Sequence, residues 1–252
     1  MKFAALLPIL PAFIGCLQAK GAQSAINPTA DAFVLSAQPS SNYGAAGVIA
    51  VSAAGLPAGE FDSFIKFDLS FTKSAFDLQY GVGQWTVQSV TLELTTTSGN
   101  SFFNSNAAGQ IAIRWIQNDS WIEGTGKPVS PDSDPSHVNF NNQGNYLSAG
   151  VDQPLGAFSY DGQSGLHSYS LALPTAFVTD LAAGGNVSLY LSAADSTVSS
   201  LPVSANNGPN ASQQPLLIIN AVPEPGSAAL TMAALGAMAL RRNRLSARPT
   251  NP

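Results

Sequence analysis

Few residues in this chain can do chemistry, and they are scattered. His137 and His167 supply the only imidazoles. Neither has a second His or a Cys three to five residues away, and a zinc site needs three or four converging ligands. Ser164, in Gly162-Gln163-Ser164-Gly165, lacks the spacing of a nucleophile elbow. Gly124-Thr125-Gly126-Lys127 is followed by Pro128, where a phosphate loop needs Ser or Thr for magnesium. Glu123, beside Trp121 and close to Asp119, is the best carboxylate pair for glycoside cleavage, which needs two carboxyls roughly 5 to 9.5 Å apart. The competing expectation is that Trp121 packs on a sheet edge while Glu123 and Gly124 turn the chain. Asp132-Ser133-Asp134 spaces two carboxylates as hard-cation loops do, which makes calcium the metal to test. The later EF-hand positions are wrong, however, with His137 in place of glycine and Gln143 in place of glutamate. No other cofactor is suggested.

Sugar recognition asks for something different, an aromatic ring facing a pyranose with amides or carboxylates around it. Trp115, Trp121, Tyr146 and Tyr160, alongside Asn139, Asn141 and Asn142, carry those groups. Trp115 shares its parity with Ile111 and Ile113, so it belongs to a buried face. The ligand-binding candidates are therefore Trp121, Glu123, Tyr146 and Tyr160, with the two tyrosines in loop-like sequence the better exposed.

These groups need a scaffold, and the two ends of the chain delimit it. Lys2, an almost unbroken apolar run from Phe3 to Leu17 and small residues at Ala19, Gly21, Ala22, Ser24 and Ala25 read as a secretory signal peptide over residues 1–25. Cys16, the only cysteine, lies within it, so the exported body has no disulfide and needs a packed core. At the other end, residues 222–252 open with Val222-Pro223-Glu224-Pro225-Gly226, and two prolines around one residue should end a strand or helix. An apolar run to Leu240 and the basic residues Arg241, Arg242 and Arg244 follow. As a helix, 226–240 would be about 22 Å long. It is a single short transmembrane segment whose arginines stay cytoplasmic.

The whole chain has a formal charge of −5, but residues 25–222 hold four Lys or Arg against fourteen Asp or Glu, a net of −10. A field of that sign repels phosphate backbones and argues against nucleic acid as a partner. It suits a neutral polysaccharide or a divalent cation.

Between the ends, short apolar or alternating segments recur between clusters of Gly, Ser, Asn and Pro, an all-β sandwich pattern. Strands are predicted at 32–36, 47–52, 63–69, 87–95, 110–117, 168–173, 187–193 and 215–220. The clearest alternation sets Val90, Leu92 and Leu94 against Thr91, Glu93 and Thr95. One short helix is predicted after Pro174, with Phe177, Val178 and Leu181 on one face and Gly184-Gly185 as its stop. Residues 121–165 are predicted to be a long polar loop.

Two resemblances follow from these motifs. The order Pro223-Glu224-Pro225, apolar segment, arginine cluster resembles the PEP-CTERM sorting signal of Gram-negative bacteria. That resemblance implies an inner-membrane-anchored precursor, processing by an exosortase-type enzyme, and delivery to the cell surface or extracellular matrix. Asp31-Ala32-Phe33-Val34, Asn42-Tyr43-Gly44, Phe64 to Leu69, Val87 to Leu94 and Trp121 to Gly126 resemble, in that order, a DNRLRE-type domain. This implies a jelly-roll-like β-sandwich over 26–221, of a kind in which some relatives bind carbohydrate. The expected protein is an exported, non-enzymatic surface component with exopolysaccharide as its candidate ligand. A structural surface protein without a specific ligand is the alternative, and a polysaccharide-acting enzyme a more remote one.

Overall fold

The computed structural model of the protein describes residues 21–99, 103, 105–224 and 226. The apolar leader up to Lys20, Pro225, and the tail from Ser227 with Arg241 and Arg242 lie outside the described residues.

In chain order the strands are β1 (Ala22–Ile26), β2 (Ala30–Leu35), β3 (Val51–Ser52), β4 (Phe61–Asp68), β5 (Trp85–Thr96), β6 (Gly109–Ile116), β7 (Gln153–Tyr160), β8 (Gly165–Leu171), β9 (Asn186–Ala193), β10 (Ser199–Ser200) and β11 (Leu216–Pro223). Two α-helices, α1 (Ser70–Tyr80) and α2 (Thr175–Ala183), interrupt them. The strands make a four-stranded sheet in the order β1-β11-β5-β8 and a seven-stranded sheet in the order β10-β3-β4-β9-β6-β7, with β2 also paired to β4. Strand pairing is antiparallel throughout. The two sheets stack as a β-sandwich, as the alternation required.

The inner faces supply the core. On β5, Val90, Leu92 and Leu94 point inward. They meet Ile65 and Phe67 of β4, Ile111, Ile113 and Trp115 of β6, and Leu189 and Leu191 of β9. Trp115 is buried, as its parity predicts, and its indole N–H donates to Asp180 Oδ2 at 2.8 Å. The predicted helix is present as α2. Pro174 precedes it in an extended conformation, Phe177 and Leu181 are its buried residues, and Gly184 ends it at φ 73°.

A second helix, α1, corrects the expectation of one. Only Thr72 and Phe76 of α1 are buried, while Phe71 and Leu78 face solvent, so its sequence carries no single apolar stripe to read. Strand β7 likewise replaces part of the predicted loop. Pro154 and Gly156 (φ 146°) disguise it, and both are tolerated because β7 is an edge strand with a bulge opposite Ile113 and Arg114.

Both predicted body boundaries fall inside the four-stranded sheet. Strand β1 begins at Ala22 and pairs with β11 from Ala22↔Ala221 onward. Val222 and Pro223 are rungs of β11, opposite Thr86 and Trp85. Pro223 fits because Glu224 donates its N–H to Gln84 O at 3.0 Å, so the proline nitrogen, one residue earlier, faces away from β5. It also lies beyond Ala22↔Ala221, the first rung of β1 among the described residues.

Candidate functional site

The segment 117–152 folds back over the outer face of the seven-stranded sheet, and it carries most of the chemistry-bearing residues. Trp121 is 1 % exposed and packs with Phe64, Tyr190, Val34, Ile116 and Val138. Its indole N–H donates to Ser188 Oγ at 2.9 Å. Lys66 lies over its ring, 4.4 Å from the centroid, and donates from Nζ to Trp121 O at 2.8 Å. Burial holds the Lys66 amine below its usual pKa, against the pull of Asp119 and Glu123 nearby.

Glu123 is half-buried and committed to backbone and amide partners. Its Oε1 accepts from Asp31 N at 2.7 Å and from Asn206 Nδ2 at 2.8 Å, while burial raises its pKa. Asp31 is 1 % exposed and pushed up to about 7 by burial. Its Oδ2 accepts from Ala205 N at 2.6 Å, and its Oδ1 has no partner among the described residues.

The same knot takes in the Asn42-Tyr43-Gly44 and Gly124-Thr125-Gly126 motifs. Asn42 Nδ2 donates to Val138 O at 2.7 Å, Gly44 N donates to Asn42 Oδ1 at 3.0 Å, and Asn42 exchanges backbone bonds with Asp132. A methyl group on Gly126 would lie 1.7 Å from Asn42 O, and one on Gly44 would lie 2.2 Å from Glu123 O. The glycines are there so that two backbone segments can touch.

The two aspartates proposed for calcium serve the loop itself. Asp132 Oδ2 accepts from Thr125 N at 3.1 Å and contacts His137 Nδ1 at 2.6 Å, and Oδ1 accepts from Asp134 N at 2.9 Å. The N–H donors of Asp134 and Thr125 lower the Asp132 carboxyl to about 2. Asp134 Oδ1 accepts from Ser136 N and Oγ, at 2.9 and 2.7 Å. The donor set is thus N–H and O–H groups. Among the described residues, no group of three or more His, Cys, Asp or Glu side chains converges as metal ligands would.

The aromatic platform predicted from sequence is not assembled. Trp121 is interior, and Tyr160 is 2 % exposed in β7, donating to Gln163 O at 2.8 Å, instead of standing in an open loop. Tyr146 packs partly buried on the Trp121 cluster, edge-on to Phe64. Asn139 and Asn142 cap each other reciprocally, and Asn141 donates to Ser40 Oγ. Glu123 is tied into the same knot, whereas Asp119 is half-buried with its Oδ1 lacking a hydrogen-bond partner among the described residues; burial raises the pKa of each.

The open surface lies on the other sheet. Across the outer face of β1, β11, β5 and β8, register places Gln23, Asn220 and Ser89 in one row, Ala25, Ile218, Thr91 and Ser170 in the next, and Leu216, Glu93 and Ser168 in a third. Gln23 donates to Asn220 Oδ1 at 3.2 Å, Asn220 to Ser89 Oγ at 2.9 Å, and Ser168 to Glu93 Oε1 at 3.3 Å. At the end of this face, the 208–213 turn overhangs the sheet and closes a groove of about 320 Å³. Glu93, Thr95, Leu166 and Leu216 form its floor, and Ser212 and Gln214 stand on its wall. Leu166 is 62 % exposed there. The groove offers a carboxylate, hydroxyls and amides around an apolar patch; these can hydrogen-bond sugar hydroxyls and cover a C–H face, with leucines in place of an aromatic ring. Thr91, Glu93 and Thr95 lie on the wet side of β5, as their parity predicts, and that parity is the only sequence signal they carry.

Comparison with known proteins bears on both faces. The family model described as carbohydrate-binding module family 96 matches residues 22–164, more than half of the chain. That span contains the Asp31-to-Asn142 part of the knot but not its partners Ser188, Ala205 and Asn206, and β1 and β5 of the open face but not β8 and β11. No curated protein matches the chain. Among solved structures it is similar to a chain of the Macrobrachium rosenbergii nodavirus, with 11 % identity over 89 % of this chain and a TM-score of 0.25. It spans 61 % of that chain's length.

Proposed function

We propose, since this chain belongs to carbohydrate-binding module family 96, that it binds polysaccharide on the outer face of its four-stranded sheet and in the groove at the end of that face. The observation that carries binding is the family match over residues 22–164; the face is chosen for its open polar rows, two of whose strands, β8 and β11, lie outside that match. The ligand is a neutral polysaccharide. The surface offers hydroxyl, amide and a single carboxylate partner, and the body's net charge of −10 opposes polyanionic chains. The protein acts by retention and not by turnover, consistent with Glu123 being committed to Asp31 N and Asn206 in the knot. Affinity electrophoresis through gels containing neutral or acidic polysaccharides tests this. Retardation by a neutral polymer, abolished in the doubly substituted chain Thr95→Ala, Leu166→Ala, is the expected result. Equal mobility in every gel would leave a purely structural surface protein as the reading, and ligand cleavage would reinstate the enzyme.

The address completes the function. The protein is exported, its leader is removed ahead of Ala22, where β1 begins, and the segment from Glu224 is the sorting signal read by an exosortase-type enzyme. The precursor is anchored in the inner membrane through the apolar run, and the processed protein resides at the cell surface or in the extracellular matrix. Substituting Glu224 and Pro225 by alanine, while sparing Pro223 because it belongs to β11, should leave the precursor in the membrane fraction. Unchanged release would count against this route.

A further inference from the structure

The described residues expose few large apolar side chains, and three of the four most exposed lie on one helix and its end. Leu78 is 90 %, Phe71 82 % and Val82 78 % exposed. Phe71 and Leu78 are seven residues apart, two turns of α1, and so project on the same side about 10 Å from each other. Val82 lies just past the Gly81 cap and is exposed as well. The buried side of α1, with Thr72 and Phe76, already fastens the helix to the sandwich, and Tyr80 donates to Ala221 O at 3.2 Å. The apolar ridge is therefore surplus to folding.

Its position is informative. The C-terminal end of α1 lies beside the point where the chain leaves the sheet, since Gln84, four residues past Tyr80, accepts from Glu224 N. The apolar run begins at Ser227, three peptide units further on. Three residues reach at most about 11 Å. A sandwich whose tail is inserted in a bilayer from Ser227 onward cannot stand clear of it, and the surface around Glu224 is the one that must meet the lipid.

We infer that Phe71, Leu78 and Val82 form a foot with which the anchored precursor rests on the membrane, its occupant being the acyl and glycerol region of the bilayer. The inference rests on the anchor reading given under the proposed function, and it adds the orientation of the body. The foot sets α1 against the lipid. Cutting the chain near Pro225 would leave only three side chains in the interface, a weak and reversible contact. The same surface that steadies the precursor thus permits release.

The test uses the full chain, recovered from membranes and reconstituted in vesicles of phosphatidylethanolamine and phosphatidylglycerol. Cys16→Ser is combined with either Leu78→Cys or Val129→Cys, and an environment-sensitive fluorophore is attached at the single thiol. Val129 is 95 % exposed in the loop after Trp121 and serves as the aqueous reference. The expected result is a blue-shifted label at 78, quenched by spin-labelled lipid and several-fold less accessible to aqueous iodide than the label at 129. A chain that floats with the vesicles while both labels stay equally open to iodide overturns the foot and leaves the anchor standing. A chain that does not float removes the anchor and the foot together. A label at 78 shielded as strongly without vesicles as with them shows that protein covers the ridge, either the chain's own tail or a second copy, and overturns the lipid as its occupant.

Discussion

The two outer faces of the sandwich use polar residues in opposite ways. On the seven-stranded sheet, Asp31, Lys66, Trp121, Glu123 and Asn42 are drawn inside and hydrogen-bonded there, all but Asp31 Oδ1, which lacks a partner among the described residues. On the four-stranded sheet, Ser89, Thr91, Glu93, Ser168 and Asn220 stand in rows facing water. The residues whose types suggest chemistry are those that hold a long segment down, and ordinary hydroxyls and amides form the surface a ligand can reach. Burial explains the division. A polar group taken out of water must have its partners built in, so it has little to offer a ligand.

Substitutions can break that contrast, and their expected effects on stability fall in order. Gly126→Ala should cost at least about 3 kcal/mol, because its methyl would overlap Asn42 O and only a backbone shift relieves it. Urea unfolding measures this, and a near-neutral result would mean that the knot does not hold the loop. Trp121→Phe should cost about 1 to 3 kcal/mol, leaving Ser188 without its indole donor and Lys66 over a weaker ring.

The third substitution, Asp31→Asn, is read through pH. The folded carboxyl titrates at about 7 and the unfolded one near 3.8. In that interval the native state holds a proton that the unfolded chain has lost, so the contribution of Asp31 to stability falls as pH rises and levels off above about 7. Asp62, also raised to about 7 by burial, acts in the same direction. The urea midpoint should decline between about pH 4 and pH 7. Asp31→Asn should flatten the decline, and an unchanged slope would remove Asp31 as its source. Smallest of all, Thr95→Ala with Leu166→Ala should change stability by no more than about 0.5 kcal/mol while abolishing retention on polysaccharide. If knot substitutions changed retention per folded molecule as much as groove substitutions did, the two faces would not be separate in function.

Sequence showed the two faces unequally. The alternation through Val90, Leu92 and Leu94 gave β5 its inner side, and Pro174 with Gly184-Gly185 bracketed α2, because period and caps are local signals. The ordered motifs from Asp31 to Gly126 carried the family resemblance, although Gly124 to Lys127 looked in isolation like a phosphate loop and Glu123 with Asp119 like a catalytic pair. Tyr160 was misplaced because Pro154 and Gly156 hide β7, and α1 was missed because its solvent side is as apolar as its buried one. The groove was the hardest to see. It arises where Leu216, Glu93 and Leu166 come together across β11, β5 and β8 under the 208–213 turn, and serines and threonines on a wet strand face look alike whether or not something binds them.

The pairing of β1 with β11 also has a mechanical consequence. Strand β11 lies between β1 and β5, hydrogen-bonded along both edges, and the segment proposed above as the anchor follows from its end. Drag on a polysaccharide held against this sheet would pull β11 lengthwise between its neighbours. Its rungs would then be strained together in shear, and not opened one at a time as in peeling an edge strand. An adhesive tethered through this strand should yield at its grip on the sugar before its fold does.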